Sequence, residues 1–283
     1  MSPTLVRHQL PHSGSIRCDD PPVPDRSRRT RDWAEIQERM LIPLYEAAYD
    51  RLGIGPGTRL LGLGCGTGLA LLLAAARGAQ VSGVDADESR LELARERLTP
   101  EGGPEHTRLV SGGLEAAAPG DAAFNVVTAF HPVGCVSTVE GLTASLTAAA
   151  GLAERGSAVV LGGWGPVERC ATAGVLGVAQ RLADPRGDCT VGWPSGRDDL
   201  EELADRAGLR PDGSGRVACP FGYADPASAV RGLLSTGLFD AALEVTEERQ
   251  VEKELAEALH PYQRSDGTVW MPNVFRYLIA RTR

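Results

Sequence analysis

Strands alternating with helices over residues 59–162 predict an α/β protein built on a doubly wound, mainly parallel sheet. Two further observations agree. Each strand-like run is short and apolar throughout, as expected where helices cover both faces. A turn of three glycines, Gly64, Gly66 and Gly68, follows the first strand and opens a helix, and an acid, Asp85, ends the second strand.

The elements follow in order. Trp33, Ile36, Met40, Leu41, Leu44, Ala47 and Ala48 recur at helical spacing and predict a helix over 33–52. Pro43 should kink or divide it, and the glycine- and proline-rich run 53–57 stops it. Residues 59–63 read as the first strand and 80–84 as the second, with the helix former LALLLAAARG between them. Residues 89–98 read as a helix, 106–110 and 125–130 as strands, 142–154 as a helix and 157–161 as a strand. Beyond the sheet, helices are expected near 167–183 and 197–208, a strand at 216–220, and two or three helices over 225–260. The run VFRYLIA supplies a last strand. Helices inserted between the last two strands are placed to form a lid at the sheet edge.

The chain has 283 residues, of which 42% are hydrophobic, and a net charge of −8 from 29 Lys and Arg against 37 Asp and Glu. This composition excludes overall disorder and allows a large core. No apolar run approaches the ~18 residues of a membrane span. An acidic balance argues against nucleic acid or an anionic membrane as partner, since both require a basic face. The cysteines at 18, 65, 135, 170, 189 and 219 form no C-x-x-C pair, and the five histidines form no cluster with them. No metal site is therefore expected, and free thiols fit a cytoplasmic location. Residues 1–31 read as a flexible tail without a signal-peptide core. Residues 32–283 read as one domain carrying the helical insertion of about 225–260.

Glycines lack Cβ atoms, adopt positive φ and let a ligand approach the backbone. The following helix points free N–H groups the same way. A carboxylate ending the next strand can accept both hydroxyls of a ribose. The spacing is neither the G-x-G-x-x-G of dinucleotide binding nor a Walker loop, which needs G-K-[ST].

LLGLGCGTG followed by GVDAD resembles the first two motifs of the class I S-adenosylmethionine-dependent methyltransferases. WAEIQERMLIPLYEAA, FNVVTAFHPV, VVLGGWGP and DGTVWMPNVFRYLIA are similar to the small-molecule, quinone-methyltransferase-like branch. The resemblance implies a seven-stranded Rossmann-like sheet and S-adenosylmethionine as cofactor. It assigns Gly64, Gly66 and Gly68 to the methionine end, Asp85 to the ribose, and Gly113 and Leu114 to the adenine. Three carboxylates common in the family are absent, at Gly62, Gly113 and Asn125. The first would orient the cofactor's ammonium. A lost charge-assisted hydrogen bond is worth about 1.5–3 kcal/mol.

Methyl transfer to oxygen or nitrogen uses a base with a pKa near the working pH. His131, just after the fourth strand, is the candidate. Tyr45, Glu46 and Asp50 on the first helix are candidates to orient or deprotonate a substrate. Trp33 and Trp164 are candidate pocket walls, by packing or cation–π contact. Cys135 has no adjacent base and reads as packing. The charge run 247–254 reads as a solvated helix face. The expected reaction is methyl transfer to an O, N or C atom of a small organic molecule in secondary metabolism. The alternative is a cofactor-independent ring closure by internal displacement of a leaving group, with Glu46, Asp50 and His131 as bases; a non-catalytic subunit is the third reading. Whether the chain forms a homo-oligomer is open.

Overall fold

The structure is a computed structural model that describes residues 26–98, 107–112, 114, 123–130, 139–184, 196 and 198–283. Nine strands occur among them: β1 (Arg59–Leu63), β2 (Gln80–Asp85), β3 (Thr107–Ser111), β4 (Phe124–Phe130), β5 (Ala153–Trp164), β6 (Arg210–Ala218), β7 (Phe221–Tyr223), β8 (Val269–Met271) and β9 (Val274–Arg281). Seven form one sheet in the order β3-β2-β1-β4-β5-β9-β6, while β7 and β8 pair separately. The first five pair in parallel, and β9 runs antiparallel to both β5 and β6. The order reverses between β1 and β4, which opens a crevice at their carboxyl ends.

Neighbouring side chains of a strand face opposite sides, and both sides are covered. Leu60, Val126, Val160 and Ile279 point into one core; Leu61, Val127, Val159 and Leu278 point into the other. The first core is closed by α2 (Ile42–Leu52), α3 (Leu69–Ala76), α6 (Thr172–Ala183) and the helices between β6 and β9, namely α8 (Pro226–Leu234), α9 (Asp240–Val245) and α10 (Glu248–Leu259). The second is closed by α5 (Val139–Gly151) and α7 (Asp199–Arg206). The inserted helices therefore share the main core and do not merely cover an edge. Helix α10 is held by Val251, Leu255 and Leu259, all fully buried, while its charges stay outside.

Two expectations need revision. The tail was expected to reach residue 31, but α1 (Arg26–Asp32) is helical, and Thr30 and Asp32 are buried. The helix expected over 33–52 is broken into a π turn at Trp33–Gln37, a 3-10 turn at Glu38–Leu41, and α2. Pro43 sits in the first turn of α2, where its missing N–H costs nothing. Helix α2 ends at Gly53, at φ 63°. The strap formed by residues 26–41 crosses from the inserted helices to the glycine turn. Arg29 pairs with Asp240 at 2.6 Å, Asp32 with Arg231, and the Tyr223 hydroxyl donates to Gln37 Oε1 at 2.8 Å.

Candidate functional site

The glycine turn leaves β1 at the crevice. Gly64, Gly66 and Gly68 have φ of 58°, 57° and 79°, a left-handed run that side chains disfavour. The turn is pinned to β2, because Cys65 N–H donates to Val84 O at 3.0 Å. It is also pinned to Asp85, whose Oδ2 accepts from Gly66 N–H at 2.8 Å and whose Oδ1 accepts from Asp87 N–H at 2.9 Å. Each carboxylate oxygen retains accepting capacity after one such bond. Gly68 has a second task. A Cβ there would lie 2.9 Å from Ala94 Cβ on α4 (Glu88–Leu98), so its absence lets α3 and α4 meet.

Two of the missing carboxylates, at Gly62 and Asn125, have local explanations. A Cβ on Gly62 would meet Leu71 Cδ2 at 2.9 Å, and one on Gly83 would meet Leu71 Cδ1 at 2.6 Å. A side chain on Gly62 would therefore require Leu71 to shift. Asn125 is used as an amide: its Oδ1 accepts from Arg59 N–H at 2.8 Å and its Nδ2 donates to Gly57 O at 3.0 Å. An aspartate could not donate the second bond.

A carboxylate reaches the turn from elsewhere. Glu38, in the 3-10 turn of the strap, is 3% exposed. Its Oε2 accepts from the Thr67 hydroxyl and from Arg97 Nη1 at 2.5 Å. Arg97, in the last turn of α4, donates further to Thr67 O at 3.0 Å and, through Nη2, to Ala34 O at 2.7 Å. Burial raises the Glu38 pKa, opposed by Arg97 and the Thr67 hydrogen bond. Glu38 Oε1 lies 3.8 Å from where a Cβ on Gly66 would stand. Sequence reasoning missed Glu38, Thr67 and Arg97. The signal was Thr67 inside the glycine turn, a hydroxyl whose partner lies far along the chain.

The other predicted residues separate. Tyr45 is buried, with its ring 4.8 Å from that of Phe130, the last residue of β4. Burial, then the nearby Glu38, raises its pKa well above the usual range, so the hydroxyl stays protonated. Glu46 and Asp50 lie on the opposite face of α2, which is exposed, and Asp50 pairs with Arg77 at 2.6 Å. These two do not join the site. Trp164 is 2% exposed and packs on Phe275 and Phe221, with centroids 4.3 and 5.8 Å away. It is a core residue rather than a pocket wall. Trp33 is half-buried against the main core. Leu114 is half-buried beside the second core. His131, Gly113 and Cys135 lie outside the described residues. Among the described residues no group of His, Cys, Asp or Glu could hold a metal, and no helix is long and apolar enough to cross a membrane.

Comparison with known proteins places this arrangement. Residues 60–156, from β1 into β5, match the family described as a methyltransferase domain. The methyltransferase GfsG of Streptomyces halstedii is 43% identical over 70 residues, which are 24% of this chain and 24% of that protein. The chain thus spans about a quarter of the curated relative it matches. The solved structure of YcgJ from Bacillus subtilis superposes with a TM-score of 0.53 at 18% identity, over 84% of this chain and 97% of that one. The cyclase SpnF superposes with a TM-score of 0.51 at 15% identity, over 84% of this chain and 80% of that one. At such identities the superpositions speak for the fold. Glycine turn, acid, strand order and local family match agree: residues 60–156 are similar to a methyltransferase domain, and the described residues have the fold of the class I S-adenosylmethionine-dependent methyltransferases.

Proposed function

We propose that the chain transfers a methyl group from S-adenosylmethionine to an oxygen, nitrogen or carbon atom of a small organic molecule of secondary metabolism. The bond from Gly66 N–H to Asp85 carries this reading, because it joins the tips of β1 and β2 into one preformed cradle. The residues fit the cofactor. Gly64 and Gly66 leave the backbone approachable, and Asp85 keeps lone pairs for ribose hydroxyls. Gly113 and Leu114 follow β3 and are assigned to the adenine. When bound, the cofactor supplies a methyl group on a sulfonium, so no covalent enzyme intermediate is needed.

The chain's own contribution is placement, which supplies much of the acceleration in such reactions. His131 is the proposed base for the acceptor. Tyr45 packs on the residue preceding it, and its protonated hydroxyl is a donor for orienting substrate. The inserted helices and the strap give the acceptor pocket its private wall. The net charge of −8 fits the absence of a nucleic-acid partner, and the free thiols fit a cytoplasmic enzyme. Calorimetric titration with S-adenosylmethionine and S-adenosylhomocysteine tests the reading. Binding is expected, weakened about tenfold or more by Asp85→Ala; no binding at millimolar cofactor overturns it.

A second reading has one observation in its favour: Gly62 stands at the place of the usual motif acid, and Leu71 crowds its Cβ site. A cofactor-independent ring closure on this fold predicts turnover that survives removal of the cofactor and Asp85→Ala. SpnF is named as a cyclase and shares the fold.

A further inference from the structure

The glycine turn presents a chemical problem. An amino-acid end bound there carries an ammonium, and β1 offers it no acid, because Gly62 stands at that position and Leu71 crowds its Cβ site at 2.9 Å. Asp85 is held at the other side of the turn by Gly66 and Asp87. We propose that Glu38, on the N-terminal strap, supplies the missing carboxylate and receives the amino group of the cofactor. This rests on the transferase reading above.

The geometry supports it in three ways. First, the two oxygens of Glu38 are used unequally. Oε2 is taken by Thr67 and Arg97, while Oε1 faces Gly66. Among the described residues other than the neighbouring Cys65 and Thr67, no further atom comes within 4 Å of the Gly66 Cβ position. Second, the carboxylate is fixed before any ligand arrives. Thr67 is part of the turn itself, and Arg97 ties the turn, the strap backbone at Ala34 and Glu38 together. A preorganised charge loses little entropy on binding. Third, the charges suit a zwitterion. Arg97 balances Glu38 in the free protein, and an incoming ammonium brings its own carboxylate.

The local fold explains why Glu38 points inward. A regular helix over 33–41 would keep the ordinary helical turn per residue. The π turn and the 3-10 turn change that rotation on either side of Glu38, and such irregular turns often mark functional positions. The same break buries Gln37, which binds Tyr223 of the small sheet. Adjacent strap residues thus hold the inserted helices and the glycine turn.

The experiment titrates S-adenosylhomocysteine and 5′-methylthioadenosine, which lacks the amino-acid end, into the full chain and its Glu38→Gln variant. The expected result is a loss of about tenfold or more for S-adenosylhomocysteine, with 5′-methylthioadenosine changed by less than about twofold. An equal loss for both ligands makes Glu38 an anchor of the turn only and overturns the proposal; so does no loss for either. A wild-type chain that binds neither ligand overturns the transferase reading and this one together. Should Glu38→Gln not fold, the wild type decides alone. It is expected to bind S-adenosylhomocysteine about tenfold more tightly than the analogue lacking only its amino group, and parity overturns the proposal.

Discussion

Leu71 stands where a side chain on Gly62 would go, with its Cδ2 2.9 Å from the Cβ position. The two residues are nine apart, yet helix α3 folds back on β1 and brings them together. The apolar core has claimed a place that a carboxylate would otherwise hold. Restoring the acid should therefore fail. Gly62→Asp adds volume to a filled core and buries a charge without a partner. It should cost roughly 3 kcal/mol or more of stability, measured by urea unfolding. A stable variant with tighter cofactor binding would contradict this account.

Glycine substitutions should rank by what surrounds them. Gly53 and Gly68 both have positive φ, but a Cβ on Gly53 meets nothing within 4 Å, whereas one on Gly68 meets Ala94. Gly53→Ala should cost about 1 kcal/mol for the left-handed backbone alone. Gly68→Ala should add an overpacking cost of about 1–3 kcal/mol. Equal melting points for the two variants would remove the packing role given to Gly68.

Stability should depend on pH through Glu38. Its folded pKa is raised by burial, against the pull of Arg97 and Thr67. Tyr45 and Cys65 also sense its charge, but both stay protonated in this range. Between the ordinary carboxylate value and the raised one, the folded chain holds a proton that the unfolded chain has released. The contribution to stability is therefore present at lower pH and lost as pH rises through that window. Glu38→Gln should flatten that part of the stability-versus-pH curve. An unchanged slope would show that Glu38 does not titrate there.

Glu46 and Asp50 should tolerate change. Asp50 is exposed and its ion pair with Arg77 is solvated, so Asp50→Ala should cost at most about 1 kcal/mol. Neither Asp50→Ala nor Glu46→Ala should alter kcat or KM. A large fall in kcat for either would bring α2's outer face back into the site.

Cys65 lies in the glycine turn, yet burial and then the charge of Asp85 push its thiol up to about 12. It should resist iodoacetamide at pH 8 in the folded chain and react once unfolded, as read by peptide mass mapping. Rapid labelling of the native protein would indicate a more open turn.

Much of the fold was legible because its signals are local. Alternating apolar strands and helical runs report their own neighbours, and Gly64, Gly66 and Gly68 declare a backbone that other residues resist. Boundaries drifted where tertiary pairing extends an element. Strand β5 begins at Ala153, where Phe124 pairs with it, earlier than its apolar run indicates. In α2 the sequence placed Glu46 and Asp50 on one face, and that was correct. It did not say which face turns inward, because Tyr45 and Tyr49 are as compatible with a surface as with a core until Phe130 packs on them.

The amino-acid order by itself determined the α/β architecture, the glycine turn and the acid at the tip of β2, since each rests on period or backbone conformation within a few residues. Only the tertiary structure brought a second carboxylate, Glu38, against that turn. Glu38 and Thr67 are 29 positions apart, and their contact depends on a strap whose helical period breaks twice. Burying a carboxylate is favourable only with its partners in place, and Arg97 and Thr67 meet Glu38 only when the strap, α4 and the glycine turn have packed together.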